Sequence, residues 1–215
     1  MGAFVSQLDA KIGEFVAALD ETGQREQTLI VFTSDNGGLP GGKNPYVGDV
    51  ADSPALSSNE PLRGHKNQLY EGGIRVPAFA NWPQKLAARK IEVMLHAADW
   101  MPTLTRLAGW NPPDGFSFDG HDVWSLFSSD TAALETRSIY IPHRAGSVLI
   151  RDGWKLIEWT ADRPAELYHI AVDPGAAEDL SGAEPARVED LQVILEQLRP
   201  GDVTTLPEDL VGLAP

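Results

Sequence analysis

The sequence predicts an α/β fold in which a larger domain over residues 1–135 is followed by a small antiparallel α+β subdomain over residues 136–215. Three observations predict this organisation. An amphipathic helical pattern near the N-terminus leads into a continuous apolar strand, short strands separated by turn residues follow residue 136, and a last amphipathic helix covers about 185–199. With 215 residues and 42% hydrophobic content, the chain is long enough to bury a core.

The first domain opens with a helix and a strand. Apolar residues at steps of three and four predict a helix over 4–20, which Gly23 ends. The run from Thr28 to Thr33 is apolar and rich in β-branched residues, which predicts a strand buried on both faces. The segment Ser34-Asp35-Asn36-Gly37-Gly38 follows it at the carboxyl end, where open α/β sheets bind their ligands.

The rest of the first domain is predicted to contain a long loop, a second strand and a second helix. Residues 39–61 lack periodicity and are rich in Gly, Pro, Asn and Ser, which indicates a loop. Residues 78–82 are predicted as a strand, and residues 99–108 as a helix with Asp99 as its cap and Gly109 as its stop. The side chains of this helix predicted to face inward are Met101, Leu104 and Leu107.

The subdomain is predicted as an antiparallel meander that ends in a helix. Turn signals such as Asp152-Gly153 separate its short strands. The predicted strands are 138–142, 147–151, 154–159 and 166–169. The final helix places Val188, Leu191, Leu195 and Leu198 on one face.

Composition excludes several classes of function and partner. With 31 acidic against 17 basic residues and a net charge of −14, the chain would repel a phosphate backbone, so no nucleic-acid binding is expected. The absence of cysteine excludes disulfides, thiolate metal sites and a cysteine nucleophile. No apolar run approaches the roughly 20 residues that span a bilayer, and the N-terminus lacks a signal-peptide pattern. No membrane contact and a cytoplasmic location are therefore expected.

Three short segments carry residue types that suit chemistry. Asp35 and Asn36 offer a carboxylate and an amide oxygen, which fit a hard cation such as Ca²⁺ or Mg²⁺; the alternative is a strand-ending turn. Arg63, His65 and Lys66 fit a small anion site, or else a solvated charge cluster. The segment Glu71-Gly72-Gly73 is predicted as a turn in which Glu71 pairs with Arg75 or a backbone amide.

The order of these segments resembles the sulfatases of the alkaline phosphatase superfamily. The matching segments are Ser34 to Gly38, Leu62 to Lys66, Glu71 to Pro77 and Asp99 to Gly109. A further segment, Asp119-Gly120-His121-Asp122-Val123-Trp124, is similar in sequence to the arylsulfatase B branch. The resemblance implies that the chain forms the C-terminal part of an alkaline-phosphatase-like mixed sheet with flanking helices, followed by the antiparallel subdomain.

The resemblance also implies a function for the segments. Asp35 and Asn36 would be two ligands of a divalent metal, with Ca²⁺ favoured and Mg²⁺, Mn²⁺ or Zn²⁺ as alternatives. Lys66 would contact the sulfate of a small anionic ester substrate, while Arg63, Glu71 and Arg75 would support the loop. Metal and ammonium together would stabilise the charge that develops on the sulfuryl oxygens. Members of the family are often periplasmic or secreted.

The sequence departs from the family pattern in its nucleophile. Sulfatases use a formylglycine made from the first residue of Cys/Ser-x-Pro/Ala-x-Arg, and no such motif occurs in these residues, so no formylglycine is expected in this chain. Three hypotheses follow: a fragment or split partner that acts with an N-terminal sulfatase half, an independent minimal metal-dependent hydrolase, or a non-catalytic remnant that binds partners. A homo-oligomer is also expected, because a buried strand without neighbours leaves an apolar edge.

Overall fold

The computed structural model describes residues 2–40, 57–129, 131–160 and 162–202. The chain divides into two compact units, one formed by residues 1–58 with 75–136 and the other by residues 59–74 with 137–215. The segment that carries Arg63, His65 and Lys66 therefore packs with the C-terminal residues. Most of the predicted loop over 39–61 lies outside the described residues, and the domain boundary predicted after residue 135 stays a prediction.

The described part of the chain mixes helices and strands in its first half and continues with four successive strands and a final helix. The helices are α1 (Gly2–Glu21), α2 (Glu71–Ile74), α3 (Trp100–Leu107), α4 (Trp124–Ser128) and α5 (Pro185–Leu198). The strands are β1 (Ile30–Thr33), β2 (Ala78–Asn81), β3 (Ile139–His143), β4 (Gly146–Arg151), β5 (Trp154–Trp159) and β6 (Glu166–Tyr168). The predicted α/β class is confirmed, and α2 and α4 are helices that the sequence patterns did not indicate. None of the described helices is long and apolar enough to cross a membrane.

The first unit contains a two-stranded antiparallel sheet. β1 pairs with β2 from Ile30 opposite Asn81 to Thr33 opposite Ala78, and the rings of Phe32 and Phe79 stack with centroids 5.1 Å apart. The prediction that β1 is buried on both faces is wrong for this structure, since its residues are only half-buried or exposed. The physical reason is that β2 is the one strand that pairs with it among the described residues.

Helix α3 ends as predicted but presents a different face to the interior. Gly109 has φ +78°, and the amides of Gly109 and Trp110 donate back to the carbonyls of Arg106 and Thr105, which closes the helix with a Schellman motif. The inward orientation predicted for the apolar side chains is wrong: Met101, Leu104 and Leu107 are exposed, and Pro102 and Thr103 are the buried residues.

Asp99 does not cap α3 through its side chain, contrary to the sequence prediction. Its carboxylate is buried and accepts from the backbone amides of His96 at 2.7 Å and His121 at 3.0 Å. The residue therefore ties the chain before α3 to the chain after it.

The second unit is the predicted meander. Its four strands lie in the order β3-β4-β5-β6, and all neighbours are antiparallel. On one face, Leu191 and Leu195 of α5 pack among buried leucines of β4, β5 and β6. On the other face, Leu69 and Tyr70 pack with buried residues of the same sheet, including Val148 and Ile157. This second contact anchors residues 59–74 to the sheet.

Candidate metal and anion sites

The turn after β1 places Asp35 and Asn36 side by side. Asp35 is exposed, and its Oδ1 accepts from the Asn36 amide at 2.9 Å. The Asn36 side-chain nitrogen donates to the Gly37 carbonyl at 2.9 Å, and the Ser34 hydroxyl donates to the Asn36 carbonyl at 3.1 Å. These bonds fix the turn, while Asp35 Oδ2 and Asn36 Oδ1 have no hydrogen bond to the described residues. Both residues remain able to offer an oxygen outward.

Two side-chain oxygens are a partial fit to a hard divalent cation. Carboxylate and amide oxygens are the ligand types that Ca²⁺ prefers, but Ca²⁺ takes about 6 to 8 oxygens. No group of three or more acidic or histidine side chains is placed to hold a metal in the described part of the chain. Asp35 and Asn36 would therefore supply part of a coordination shell that other groups must complete.

The loop that carries Lys66 is held by close contact with α2. A β-carbon at Gly72 would meet the Arg63 carbonyl oxygen at 2.7 Å, and one at Gly73 would meet the His65 carbonyl oxygen at 2.6 Å. The Gly72 amide donates to the Arg63 carbonyl at 2.8 Å, which is possible only at this separation. The two glycines are thus required because the loop backbone lies directly on the helix. The predicted turn at Glu71–Gly73 is a short helix.

Arg63 points into a cluster of tyrosines in the second unit. Its guanidinium donates to Tyr168 Oη at 2.9 Å, to the Ala176 carbonyl at 3.2 Å and to Tyr70 Oη at 3.1 Å. It also lies 3.9 Å from the centroid of the Tyr70 ring, a cation–π distance. These contacts fit the supporting role that the family resemblance implies, and the prediction that Arg63 binds substrate stays a prediction.

Glu166 joins the two tyrosines beneath Arg63. Both phenol groups donate to Glu166 Oε2, from Tyr70 at 2.8 Å and from Tyr168 at 2.7 Å, and Arg163 bonds the other carboxylate oxygen. Burial, followed by the hydrogen bond to the Glu166 carboxylate, raises the pKa of Tyr168 above its ordinary value. The phenols therefore remain neutral donors, and each of them also accepts a hydrogen bond from Arg63.

Glu71 pairs with a buried lysine from β5. Lys155 Nζ lies 3.0 Å from Glu71 Oε1, and the two side chains are 0% and 5% exposed. Burial lowers the pKa of Lys155, and the Glu71 carboxylate opposes that effect by favouring the charged form. Glu71 is predicted from the sequence to pair locally, and the structure adds a partner 84 residues away.

His65 and Lys66 lie at the tip of the same loop. The His65 amide donates to the Gln68 side chain at 3.1 Å, and its ring Nδ1 bonds the Lys66 carbonyl at 2.9 Å. Lys66 itself is half-buried, and among the described residues its ammonium has no ion-pair or hydrogen-bond partner. The loop therefore fixes the Lys66 backbone and leaves its charge available.

The predicted site residues fall into two groups. Asp35 and Asn36 are adjacent in the first unit, whereas Arg63, His65 and Lys66 share one loop of the second unit. The residues that support that loop were not predicted from the sequence; they are Tyr70, Lys155, Glu166 and Tyr168. A lysine inside the otherwise apolar strand segment Trp154–Ile157 was the available signal, because an unpaired lysine is rarely buried.

The family model for sulfatases matches residues 2–110, a range that includes the Asp35–Asn36 turn and the Lys66 loop. The chain belongs to the sulfatase family. Sulfatases generally bind a divalent metal such as Ca²⁺, which is the ion that the two oxygens of the turn suit.

Individual sulfatases resemble most of this chain. It is 34% identical over 140 residues to mouse steryl-sulfatase, a match that covers 65% of this chain and 22% of the relative. It is 27% identical to the N-acetylgalactosamine-6-O-sulfatase of Bacteroides thetaiotaomicron over 92% of this chain and 41% of the relative. A solved structure of a protein from glycosaminoglycan metabolism in Bacteroides thetaiotaomicron superposes with a TM-score of 0.74 at 25% identity, over 90% of this chain and 43% of that chain.

These comparisons confirm the predicted family and its alkaline-phosphatase-like fold. This sulfatase chain spans less than half the length of these relatives. The predicted arylsulfatase B branch stays a prediction, because the matching relatives belong to several kinds of sulfatase.

Proposed function

We propose that this chain supplies metal-binding and sulfate-binding groups for the hydrolysis of a sulfuric ester. Asp35 and Asn36 bind a divalent cation, with Ca²⁺ as the favoured ion, and Lys66 binds a sulfate oxygen through its ammonium. The observation that supports this proposal best is the sulfatase match over residues 2–110, because that range contains both motifs. Within the described residues the ammonium of Lys66 has no partner, and its loop has a fixed backbone, which is consistent with this role.

The chemistry follows from the charges of these groups. A bound cation would polarise the sulfuryl group and compensate the charge that develops on its oxygens. Asp35 and Asn36 would hold that cation, since hydrogen bonds between side chains and backbone close their turn. Lys66 contributes a positive charge in a strongly acidic protein, where a sulfate needs a local basic group to bind.

We infer that the nucleophile comes from residues outside this chain. The chain contains no cysteine, and none of its serines stands in the Ser-x-Pro/Ala-x-Arg pattern that the family converts to formylglycine. The relatives are more than twice as long as the segment that this chain matches. We therefore propose that the groups described here act together with the remaining part of a sulfatase domain, and that the substrate is a small sulfated molecule.

Metal binding is tested by calorimetric titration of the 215-residue chain with CaCl₂. We expect weak binding, with a Kd in the range of about a millimolar, because only two side-chain ligands are provided. Asp35→Ala and Asn36→Ala should each remove the measurable heat. Asp114→Ala is the matched control, since Asp114 is an exposed loop carboxylate of the same unit. Equal heats for Asp35→Ala and wild type would exclude the turn as the ligand source.

Sulfate binding is tested by thermal unfolding in sodium sulfate and in sodium chloride of matched ionic strength. Sulfate stabilises most proteins by exclusion from their surfaces, so the comparison between variants decides the result. Lys66→Ala should lose the part of the stabilisation that reflects binding, while the exposed Lys85→Ala control keeps it. An identical sulfate effect in both variants would contradict the role of Lys66.

Turnover separates this proposal from an independent hydrolase. The purified chain should not release 4-nitrophenol from 4-nitrophenyl sulfate with Ca²⁺, Mg²⁺, Mn²⁺ or Zn²⁺. Turnover that disappears in Asp35→Ala and Lys66→Ala would overturn the need for an external nucleophile and establish a minimal metal-dependent hydrolase.

A further inference from the structure

The first unit contains a pocket that shares no residue with the Asp35–Asn36 turn. It lies where α3 ends and the chain returns past it, and its volume is about 250 Å³. Side chains and backbone that line it include Thr105, Arg106, Trp110, Asn111, Phe118 and Asp122. Pockets for drug-sized ligands occupy about 300 to 1,000 Å³, so this one fits a single ring.

One wall of the pocket is a rigid and partly exposed aromatic ring. Phe116 and Phe118 pack edge-on against Trp110, with ring centroids 5.7 and 6.1 Å from the indole. The two phenylalanines also pack against each other at 5.0 Å. Trp110 nevertheless remains 44% exposed. Its orientation is therefore fixed while part of its apolar surface stays available, which is how aromatic side chains contribute to binding sites.

The polar groups of the pocket carry no net charge. Arg106 Nε lies 3.4 Å from Asp122 Oδ2, and Asp122 Oδ1 accepts from the Trp124 amide at 3.0 Å. The Arg106 side chain is 77% exposed, so its terminal nitrogens can donate to a ligand. Asn111 adds an amide that can both donate and accept. The pocket thus combines a ring surface with several hydrogen-bonding groups and a balanced charge.

We propose that this pocket binds one uncharged pyranose ring of a saccharide. The C–H face of such a ring is apolar and suits the indole of Trp110, and its hydroxyls suit the polar groups of Arg106 and Asn111. A charged ring is disfavoured because Asp122 neutralises Arg106 and the whole chain carries −14. A flat heteroaromatic ligand would stack on Trp110 but would leave most of these polar groups unmatched. The proposal is independent of the hydrolytic function proposed above.

The binding is tested on the 215-residue chain by saturation-transfer NMR and by tryptophan fluorescence titration with methyl glucopyranoside and methyl galactopyranoside. A ring of this size should bind with a Kd of about a millimolar. Trp110→Ala should weaken binding at least about tenfold, and Arg106→Gln several-fold. Phe15→Ala is the matched control, because Phe15 is a similarly exposed aromatic residue of the same unit at 52%. It should bind the sugars as wild type does.

Several results would overturn the proposal. They are the absence of binding for both glycosides, binding that Trp110→Ala and Arg106→Gln leave unchanged, and binding of adenosine at least tenfold tighter than of the neutral sugars. Circular dichroism checks that each variant is folded. If Trp110→Ala unfolds the first unit, Arg106→Gln decides the outcome, since its side chain is exposed and its loss should not disturb the core.

Discussion

At the scale of single residues, the stability of the second unit depends on the buried ion pair between Lys155 and Glu71. Two charges that are almost fully shielded from water cost several kcal/mol each in desolvation, and their attraction offsets this cost only while both are present. Glu71 begins α2, so this ion pair connects the helix to the middle of the sheet. The ion pair is therefore needed to position α2 and, with it, the loop that carries Lys66.

We predict that breaking this pair destabilises the protein more than replacing it. Lys155→Met removes the ammonium that faces the buried Glu71 carboxylate, and Glu71→Leu removes the carboxylate that faces the buried ammonium. Each change should lower the free energy of unfolding by about 3 to 5 kcal/mol, whereas the double variant should recover most of that loss. Urea unfolding of the four proteins gives the coupling energy. Additive losses in the double variant would show that the two charges do not stabilise each other.

At the scale of elements, the important contact is that between α2 and the loop from Arg63 to Gln68. The helix has only four residues, and glycines form its contact surface, so loop carbonyls reach its backbone. Neither the loop nor a helix this short would hold its shape alone. The loop conformation that presents Lys66 therefore depends on two positions without side chains.

We predict that Gly73→Ala disturbs both stability and sulfate binding. The added methyl group would collide with backbone carbonyls of Gln68 and His65, which cannot move as a side chain can. The free energy of unfolding should fall by about 1 to 3 kcal/mol, as in overpacked cores, and the sulfate-dependent stabilisation assigned to Lys66 should weaken.

Gly13→Ala is the matched control for that experiment. Gly13 lies inside α1, and apart from the nearby backbone of that helix no atom of the described residues lies within 4 Å of the position its β-carbon would take. Alanine there should stabilise the helix by up to about 1 kcal/mol, with no effect on sulfate binding. Equal behaviour of the two variants would contradict the close packing of α2 on the loop.

The elements show why part of the fold could be predicted from the sequence and part could not. Local patterns fix where a helix or strand forms, so α1, β2 and all four strands of the second sheet were predicted close to their observed positions. The partners of Glu71 and Arg63 could not be found in this way, because Lys155 and Tyr168 are 84 and 105 residues away. Their pairing depends on tertiary packing, which a periodic pattern does not encode.

The wrong prediction that the apolar side chains of α3 face inward has a related cause. Its apolar residues are spaced as on an amphipathic helix, and that spacing identifies an apolar face without showing that something covers it. In the structure Met101, Leu104 and Leu107 are exposed. Likewise, the sequence could place Asp35, Asn36 and Lys66 in motifs, but it could not show that Arg63 is engaged with tyrosines while Lys66 has no partner in the part of the chain that the structure describes.

At the scale of the whole molecule, exposed apolar side chains are unevenly distributed. Thirteen of the sixteen large exposed apolar residues among the described residues belong to the first unit. Those of the second unit are Val172, Val193 and Leu198. Several of the thirteen form a stripe on α1, including Phe4, Leu8 and Phe15 at 63%, 51% and 52% exposure. Contiguous apolar surface of this kind usually marks an interaction site.

We predict that the isolated chain self-associates through the α1 stripe. Burying several large apolar side chains between copies would remove surface that the monomer exposes to water. Light scattering after gel filtration at micromolar concentration should give a mass of at least twice the 23.3 kDa monomer. The double variant Phe4→Glu, Leu8→Glu should shift the equilibrium towards monomer, and circular dichroism should show that α1 persists, since glutamate is a good helix former.

Val193→Glu is the control, because Val193 is 55% exposed on α5 of the other unit and its replacement should leave the mass unchanged. A monodisperse 23.3 kDa wild type, or equal masses for the α1 variant and the Val193 control, would show that this stripe does not drive association.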